Sequence, residues 1–284
     1  KTNFTESYFS DRIHLFQNKL LLYYKRSKIT EGLYSELKSP TEIRKSLFNI
    51  SLFPGKGLPI VNFGFLSSNR NNNDNKIIDQ ITYFSPDSTE IDTITFIGRE
   101  ETVNNLFNIS MTNQFQLLGN HVLSFHILLF NLRDKVAENV DSDTLLSIGY
   151  LPKDATSESY GISLKSVYNN YWESAVYLNT SYYDFGQKGF VHYQEQYMSN
   201  IQFNITYHLQ RYMTKLIYGF RYFTRRGNQA GIHTTQYSFK IGAESEPFEN
   251  FKLSLYLDYH IKYVDTYHQH PNNKFVMAQL RYEI

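Results

Sequence analysis

The chain has 284 residues, which is enough for one large all-β domain or for two ordinary domains. A formal net charge of +1 excludes a nucleic-acid-binding protein defined by bulk positive charge. Because the chain has no cysteine, a disulfide framework and thiolate metal sites are also excluded.

Aromatic residues are unusually frequent, at 17% of the chain, with 24 tyrosines and 22 phenylalanines. The mean hydropathy of −0.45 is typical of a soluble protein, and no run of about 18 apolar residues predicts a transmembrane helix. Both observations also fit a membrane β-barrel, in which apolar and polar residues alternate and the average hydropathy is low. Tyrosine then suits the membrane interface, because its ring is apolar and its hydroxyl is polar.

The first part of the chain predicts β-hairpins. Residues 1–18 are expected to be a lead-in or one more strand, and residues 20–26 a first clear strand. Two alternating segments then flank a turn at 54–57, where proline and glycine favour chain reversal. Their apolar positions are Phe48, Ile50, Leu52, Val61, Phe63 and Phe65. A polar tract at 69–100 follows, with one strand-like segment at 91–97.

The middle of the chain predicts two further pairs. In the first, residues 107–129 alternate on both sides of a turn at Gly119 and Asn120. Residues 132–157 are polar and predict a loop. The second pair runs from Ile162 to Tyr182 around a short turn near residues 169–170.

The last third alternates most regularly, over residues 197–209, 216–224, 237–241, 251–264 and 274–284. Seven consecutive apolar-side positions occur in the fourth of these segments: Phe251, Leu253, Leu255, Leu257, Tyr259, Ile261 and Tyr263. This segment is longer than the roughly five or six residues of an ordinary strand, and suits a tilted strand that crosses a bilayer.

The connections between these strands alternate in length. Short turns are expected at 54–58, 118–120, 168–171, 209–212 and 246–250, and mostly longer connections between them. Short turns on one side and long loops on the other are typical of outer-membrane barrels. The polar positions are largely Asn, Gln, Ser and Thr, which suit a confined wet lumen. The sequence therefore predicts an all-β fold, an antiparallel transmembrane β-barrel of about 12 strands that occupies residues 1–284 or is the C-terminal part of a larger barrel.

The end of the chain resembles the C-terminal sorting signal of bacterial outer-membrane β-barrel proteins. Leu280, Tyr282 and Ile284 match its hydrophobic, aromatic and terminal hydrophobic positions, although Ile replaces the commoner Phe or Trp. The resemblance covers this tail only. It implies a location in the bacterial outer membrane, with the lipid bilayer and the barrel-assembly machinery as partners.

Basic residues on the polar sides of the last strands are the candidate functional site. They are Lys215, Arg221, Arg225, Lys240, Lys252, Lys262 and Arg281, against Glu244, Asp258 and Glu283. One interpretation is a basic wall that favours anions in a pore. The other is a ladder of ion pairs and solvated charges that stiffens the barrel.

Other chemistry is not indicated. The polar-side histidines His126, His208 and His260 do not share a strand at a ligand spacing, so no metal site is expected. Barrel phospholipases carry a His two residues before a catalytic Ser, whereas His121 lies three residues before Ser124. Without a nucleophile and a base within reach, no enzyme is expected, and no cofactor.

The function expected from these features is a porin-like passive channel for small solutes, with the basic residues biasing selectivity toward anions. The alternative is a structural, anchoring or autotransporter-like translocation barrel, with partners in a secretion or surface complex of the outer membrane. A soluble β-sandwich binding module is a further alternative.

Overall fold

The structure is a computed structural model. It describes residues 2–33, 40–72, 79–84, 91–96, 99–138, 140, 143, 145, 150–186, 193–228, 233–248, 251–265 and 273–283. The strands are β1 (Thr2–Leu15), β2 (Leu20–Leu33), β3 (Thr41–Leu52), β4 (Ile60–Asn71), β5 (Asp79–Phe84), β6 (Ile91–Phe96), β7 (Glu101–Gln116), β8 (Asn120–Asp134), β9 (Ala155–Val167), β10 (Trp172–Phe185), β11 (Gln194–Leu209), β12 (Thr214–Gly227), β13 (His233–Phe248), β14 (Phe251–Asp265) and β15 (Asn273–Glu283). The helical elements are α1 (Lys135–Glu138) and a 3-10 turn, Gln210–Tyr212. Asp143 and Leu145 also have helical conformation.

Thirteen strands form one antiparallel sheet in the order β1-β2-β3-β4-β7-β8-β9-β10-β11-β12-β13-β14-β15. The prediction of an all-β antiparallel fold is therefore confirmed. The sheet is open, because β1 and β15 each pair with a single described neighbour. It has one strand more than the expected number of about 12, since residues that were expected to be a lead-in or an extra strand form β1.

A second, two-stranded sheet interrupts the meander. Strands β5 and β6 pair with each other in the long connection between β4 and β7. Residues 91–97 were expected to be strand-like, and β6 covers most of them. Its partner β5 was not predicted, because the sequence around it is dominated by polar residues.

The two ends of the main sheet differ in how the strands are joined. At one end the connections are short: 16–19, 53–59, 117–119, 168–171, 210–213 and 249–250. At the other end they are mostly longer, with 72–100 and 135–154 the longest. Gly55 and Gly57 have φ angles of +118° and +78°, a left-handed conformation that favours glycine and permits the reversal at 53–59. The alternation of connection lengths predicted from the sequence is therefore present.

The strand register collects apolar side chains on one face of the sheet, here called the apolar face. Because directly opposed residues in antiparallel strands share a face, apolar partners form rows across many strands. One row is Phe48, Phe65, Phe107 and Leu129. Another is Leu164, Val176, Phe203, Phe220, Phe239 and Tyr259.

The apolar face is not covered by another layer in the described part of the chain, where each strand of the main sheet contacts mainly its sheet neighbours. Phe203, Phe239 and Leu255 remain 38%, 45% and 55% exposed. Buried hydrophobic side chains are few among the described residues: Ile29, Val136, Ala137, Leu145 and Ala155. Among the described residues, the main sheet is therefore not packed against a second sheet, as it would be in a β-sandwich.

Glycines on the opposite face, here called the polar face, leave space for large side chains of adjacent strands. The ring of Tyr256 lies over Gly242, and the imidazole of His126 lies over Gly161. A methyl group on either glycine would overlap the ring above it. Gly219 is less constrained, because the nearest atoms to an added Cβ are Asn204 Oδ1 at 3.0 Å and Lys240 Cβ at 3.3 Å.

Replacing Gly242 by alanine is expected to destabilise the sheet by about 1–3 kcal/mol, the usual cost of overpacking. The Tyr256 ring cannot keep its position over a Cβ atom at residue 242. Thermal unfolding followed by circular dichroism measures this effect. Gly219→Ala is the matched control and should cost less, and Tyr256→Ser should restore part of the stability of Gly242→Ala. Equal midpoints for the wild type and Gly242→Ala would contradict the steric account.

Candidate functional site

The register places all seven basic residues singled out in the sequence on the polar face. Lys215 lies opposite Glu244, Arg221 opposite Ser238, and Arg225 opposite Thr234. On β13 and β14 the pairs are Lys240 with Asp258, and Lys262 with Gln236. At the sheet edge, Lys252 lies opposite Glu283, and Arg281 opposite Ser254.

Two arginines of β12 contact neutral amides on β11. Arg221 Nε donates to Asn200 Oδ1 at 2.8 Å, and Arg225 Nε donates to Gln196 Oε1 at 3.1 Å. Both guanidinium groups therefore keep their full positive charge on this face. Each has further N–H groups that remain able to donate to a solute.

Lys240 contacts an aromatic ring instead of a carboxylate. Its Nζ lies 3.8 Å from the centre of the Tyr256 ring, a cation–π geometry. The Tyr256 hydroxyl in turn donates to Glu244. Tyr256 thus fixes the position of the ammonium group while the carboxylate is engaged by the phenol.

Ion pairs are sparse around these cations. Among the described side chains, Lys215, Arg221, Arg225 and Lys240 form no ion pair with a carboxylate. These four residues therefore do not form the ion pairs of the expected ladder, and they fit the solvated charges of the same interpretation. The polar face of β12 and β13 carries positive charge that the neighbouring carboxylates do not neutralise by direct contact.

The three polar-side histidines are dispersed over this face. His260 Nδ1 lies 2.8 Å from Ser238 Oγ, and His208 Nε2 lies 2.9 Å from Glu173 Oε1. His126 lies over Gly161. The described part of the chain contains no group of three or more His, Asp or Glu residues arranged to hold a metal ion.

A buried polar cluster at the long-connection end was not predicted. Asp134 is fully buried and accepts hydrogen bonds from the N–H groups of Val136 at 3.1 Å and Ala137 at 3.3 Å, at the start of α1. Its other oxygen accepts from the Tyr150 hydroxyl at 2.5 Å and from the Lys153 N–H at 3.2 Å. One carboxylate therefore joins the two ends of the 135–154 connection.

The pKa values of two side chains in this cluster are raised. Burial, together with the hydrogen bond to Asp134, holds the pKa of the Tyr150 hydroxyl above its ordinary value. Burial also raises the pKa of Asp154. The hydrogen bond that Asp154 accepts from the Asp134 N–H, at 2.8 Å, acts in the opposite direction and is the smaller effect. Tyr150 therefore stays a neutral donor throughout the physiological pH range. These contacts explain how the connection is held and indicate no reaction.

A histidine and a serine that the sequence did not connect lie next to each other on the apolar face. His121 Nδ1 is 2.8 Å from Ser166 Oγ, and its Nε2 is 2.6 Å from the Leu117 carbonyl oxygen. The imidazole stacks on Phe115 at 5.0 Å between ring centres, and both His121 and Ser166 are buried. Because Ser166 is covered, the pair stabilises the turn at 117–119 and offers no accessible nucleophile.

The tail residues fall on β15, the last strand of the sheet. Leu280 pairs with Leu255, and Tyr282 with Leu253, both of the apolar face. Ile284 lies outside the described residues.

Comparison with known proteins found no family model that matches the chain and no similar curated protein. In the described part, no helix is both long and apolar enough to cross a membrane.

Replacing Tyr150 by phenylalanine is expected to loosen the 135–154 connection, because Asp134 then loses one donor to a buried carboxylate. Such bonds contribute about 1.5–3 kcal/mol, so tryptic cleavage after Lys135 and Lys153 should accelerate about tenfold or more. In the wild type, the Tyr150 contribution is fully present below about pH 10, the unfolded tyrosine pKa. It is lost as the pH rises through the higher folded value.

Tyr160→Phe is the matched control for this experiment, because it removes an exposed hydroxyl that donates to Glu158 at 3.0 Å. Its cleavage rate should stay near that of the wild type. If Tyr150→Phe is cut no faster than Tyr160→Phe, the Asp134 cluster does not hold the connection.

Proposed function

We propose that this chain is a bacterial outer-membrane β-barrel that acts as a porin-like passive channel for small anionic solutes. The observation that carries the proposal is the division of one sheet into two faces. One is apolar and uncovered, and the other carries cations that are not paired with carboxylates. The first suits contact with lipid and the second suits the wall of a water-filled lumen.

The height of the apolar face supports membrane insertion. On β10, Trp172 and Tyr182 lie ten positions apart on this face, which corresponds to about 34 Å along a strand. A strand tilt of roughly 40–45° reduces this to a height of about 25 Å, the height of the apolar band of outer-membrane barrels. Apolar residues such as Val176 and Leu178 lie between the two aromatic residues.

Aromatic pairs border this band at both ends. Near the short turns, the rings of Trp172 and Tyr207 lie 4.5 Å apart. Toward the long connections, Tyr182 and Tyr197 lie 4.7 Å apart. The hydroxyl of Tyr197 donates to Glu195 at 2.7 Å, on the side away from the band. Rings in an apolar layer with hydroxyls directed to charged groups are the arrangement expected of interfacial girdles.

The open edges of the sheet support closure into a barrel. Strands β1 and β15 leave one row of backbone donors and acceptors unpaired on each edge, which is costly in a bilayer. In a meander of thirteen strands the first and last run in the same direction, so direct closure makes one parallel pair. Pairing of β2 with β15, or one added strand, makes an antiparallel closure instead.

The polar face supplies the selectivity in this proposal. Lys215, Arg221, Arg225 and Lys240 lie on two adjacent strands, within a lumen where solutes pass close to the wall. Charges are screened over about 8–10 Å at physiological salt, so these cations act on a solute that is crossing the channel. Anions are concentrated and cations repelled, without a catalytic group or a cofactor.

Membrane extraction is the first test of this proposal. Expressed with a secretion signal in a Gram-negative host, the chain is expected to stay in the outer-membrane fraction through carbonate washing and to dissolve only with detergent. The reason is that the uncovered apolar face requires lipid or detergent. Recovery of folded chain in the detergent-free soluble fraction would contradict the membrane location.

Ion selectivity is the second test. In planar bilayers under a KCl gradient, the reversal potential is expected to indicate anion preference. The variant Lys215→Gln, Arg221→Gln, Lys240→Gln should move the reversal potential toward zero, because it removes wall charge that no carboxylate contacts.

The matched control for selectivity is Lys56→Gln, which removes a basic residue in the turn at 53–59 instead of on the polar face. It should leave the reversal potential unchanged. Cation preference of the wild type would refute the anion assignment. Inserted protein without conductance would refute the channel and favour the anchoring or translocation barrel.

A further inference from the structure

A group of cations lies on the apolar side of the sheet, just beyond the apolar band. On β2, the side chains that follow Tyr24 on this side are Arg26 and Lys28, and Arg44 of β3 lies opposite Lys28. They are separate from the basic residues of the polar face, which lie on the other side and near the other end of the strand order. The proposed channel does not use them.

The position of these cations relative to the band is defined by the register. Tyr24, Phe48 and Phe65 form the last aromatic row of the band on β2, β3 and β4. Arg26 lies one row farther toward the long connections, and Lys28 and Arg44 lie two rows farther. Rows are about 6.8 Å apart along a strand, or roughly 5 Å in height at the tilt of a barrel strand.

This height matches the headgroup layer of a bilayer. The hydrocarbon core is about 30 Å thick and the bilayer about 40–45 Å with its headgroups, so each headgroup layer is roughly 5–7 Å thick. If the aromatic row lies at the edge of the hydrocarbon, Arg26 lies in the headgroup layer. The backbone of Lys28 and Arg44 then lies about 10 Å above the aromatic row, a few ångströms beyond the headgroup layer. Their long side chains can reach back to that layer.

The group carries a positive surplus. Glu42 contacts both Lys28, at 2.7 Å, and Arg44, so one carboxylate holds two cations in place. The side chains of Lys28 and Arg44 are still 51% and 63% exposed, whereas Glu42 is largely covered. Arg26 is exposed, and its neighbours in the row are the small Ser46 and Ser67.

A surface cavity of about 420 Å³ lies at this group. Its lining residues are Ser7, Tyr8, Phe9, Arg26, Ser27, Lys28 and Arg44. Phe9 lies opposite Arg26 on the same side of the sheet and is 63% exposed. An apolar ring next to three cations suits a ligand that has both a phosphate and an acyl chain.

We propose that Arg26, Lys28 and Arg44 form a binding site for the phosphate of an anionic lipid headgroup. Guanidinium groups bind phosphate through two parallel N–H donors, and the ammonium group adds a point charge. This assignment rests on the proposed membrane function, because that function places the apolar face against lipid. The acyl chains of the ligand lie along the aromatic row below its headgroup.

The long-connection ends of β9, β10 and β11 carry the opposite charge on the same side of the sheet. There Glu158 lies in the same row as Tyr182 and Tyr197, at the border of the apolar band. Asp184 and Glu195 lie one row farther toward the long connections. The three carboxylates accept hydrogen bonds from Tyr160, Tyr182 and Tyr197. These carboxylates repel a phosphate, whereas the cations of β2 and β3 attract it. Anionic lipid is therefore expected beside β2 and β3 and not beside β9 to β11.

The test uses the full chain purified in a neutral detergent. Short-chain phosphatidic acid or short-chain phosphatidylcholine is added, and bound lipid is measured by native mass spectrometry. The wild type is expected to retain phosphatidic acid in preference to phosphatidylcholine. The variant Arg26→Gln, Lys28→Gln, Arg44→Gln should lower this retention about tenfold or more, because it removes the charge-assisted bonds to the phosphate.

The control variant is Lys25→Gln, Lys45→Gln, which removes two lysines of the same strands that lie on the polar face. It should retain phosphatidic acid like the wild type, with circular dichroism confirming that both variants fold. Equal loss in the control variant, or equal retention of phosphatidylcholine by the wild type, would overturn the site. Displacement of phosphatidic acid by an equal concentration of inorganic phosphate would assign the group to free phosphate and overturn the lipid assignment.

Failure here is distinguishable from failure of the proposed function. The binding assay takes place in detergent and depends on neither insertion nor conductance. If the chain fractionates with the outer membrane but shows no headgroup preference, only the lipid site is refuted. If the chain is recovered in the soluble fraction, the proposed membrane function is refuted, and the lipid site with it.

Discussion

The constraint on which the structure depends is the register of thirteen antiparallel strands. A slip of one residue between two strands would exchange the faces of every later strand and bring polar side chains into the apolar rows. The row from Leu164 through Phe203 to Tyr259 crosses six strands without such an exchange. The same register therefore determines both the backbone pairing and the two faces of the sheet, one apolar and one carrying charged side chains.

The polar face shows how such a sheet accommodates bulky residues without a second layer. Tyr256 lies flat over Gly242, holds the Lys240 ammonium group through its ring and donates to Glu244. The glycine supplies the space, the ring supplies a neutral partner for the cation, and the carboxylate accepts from the phenol. Because the lysine is paired with a ring and the carboxylate with a hydroxyl, the two charges do not neutralise each other in a direct ion pair. The contact of Lys240 with a ring instead of a carboxylate thus depends on the space that Gly242 leaves for Tyr256.

Most of the main sheet was predictable from alternation because its residues need only a period of two and suitable turns. The second strand shows the limit of this approach: residues 20–26 were expected, but β2 continues to Leu33. From Arg26 onward the apolar side carries Arg26 and Lys28 instead of apolar residues, so the alternation no longer indicates a strand. The role of Asp134 was also not predicted. Its hydrogen-bond donors Tyr150 and Lys153 lie in a long connection whose sequence has no periodicity. The contact between His121 and Ser166 depends on which strands pair, and a spacing of 45 residues carries no local signal. Local patterns define strands, whereas contacts between distant strands require the register.

The two edges of the sheet follow from the same register. An up-and-down sheet with an odd number of strands has parallel first and last strands, so β1 and β15 cannot close it in the antiparallel manner of the other pairs. If β2 pairs with β15 instead, twelve strands close with antiparallel pairs throughout, and β1 is displaced from the ring. If a further strand joins the edge of β1, fourteen strands close in the same way and β1 stays in the wall. In the second case Phe9 remains beside Arg26, whereas in the first it does not. If the sheet closes, the strand that pairs with β15 therefore also determines whether the basic group on β2 and β3 keeps its apolar neighbour Phe9.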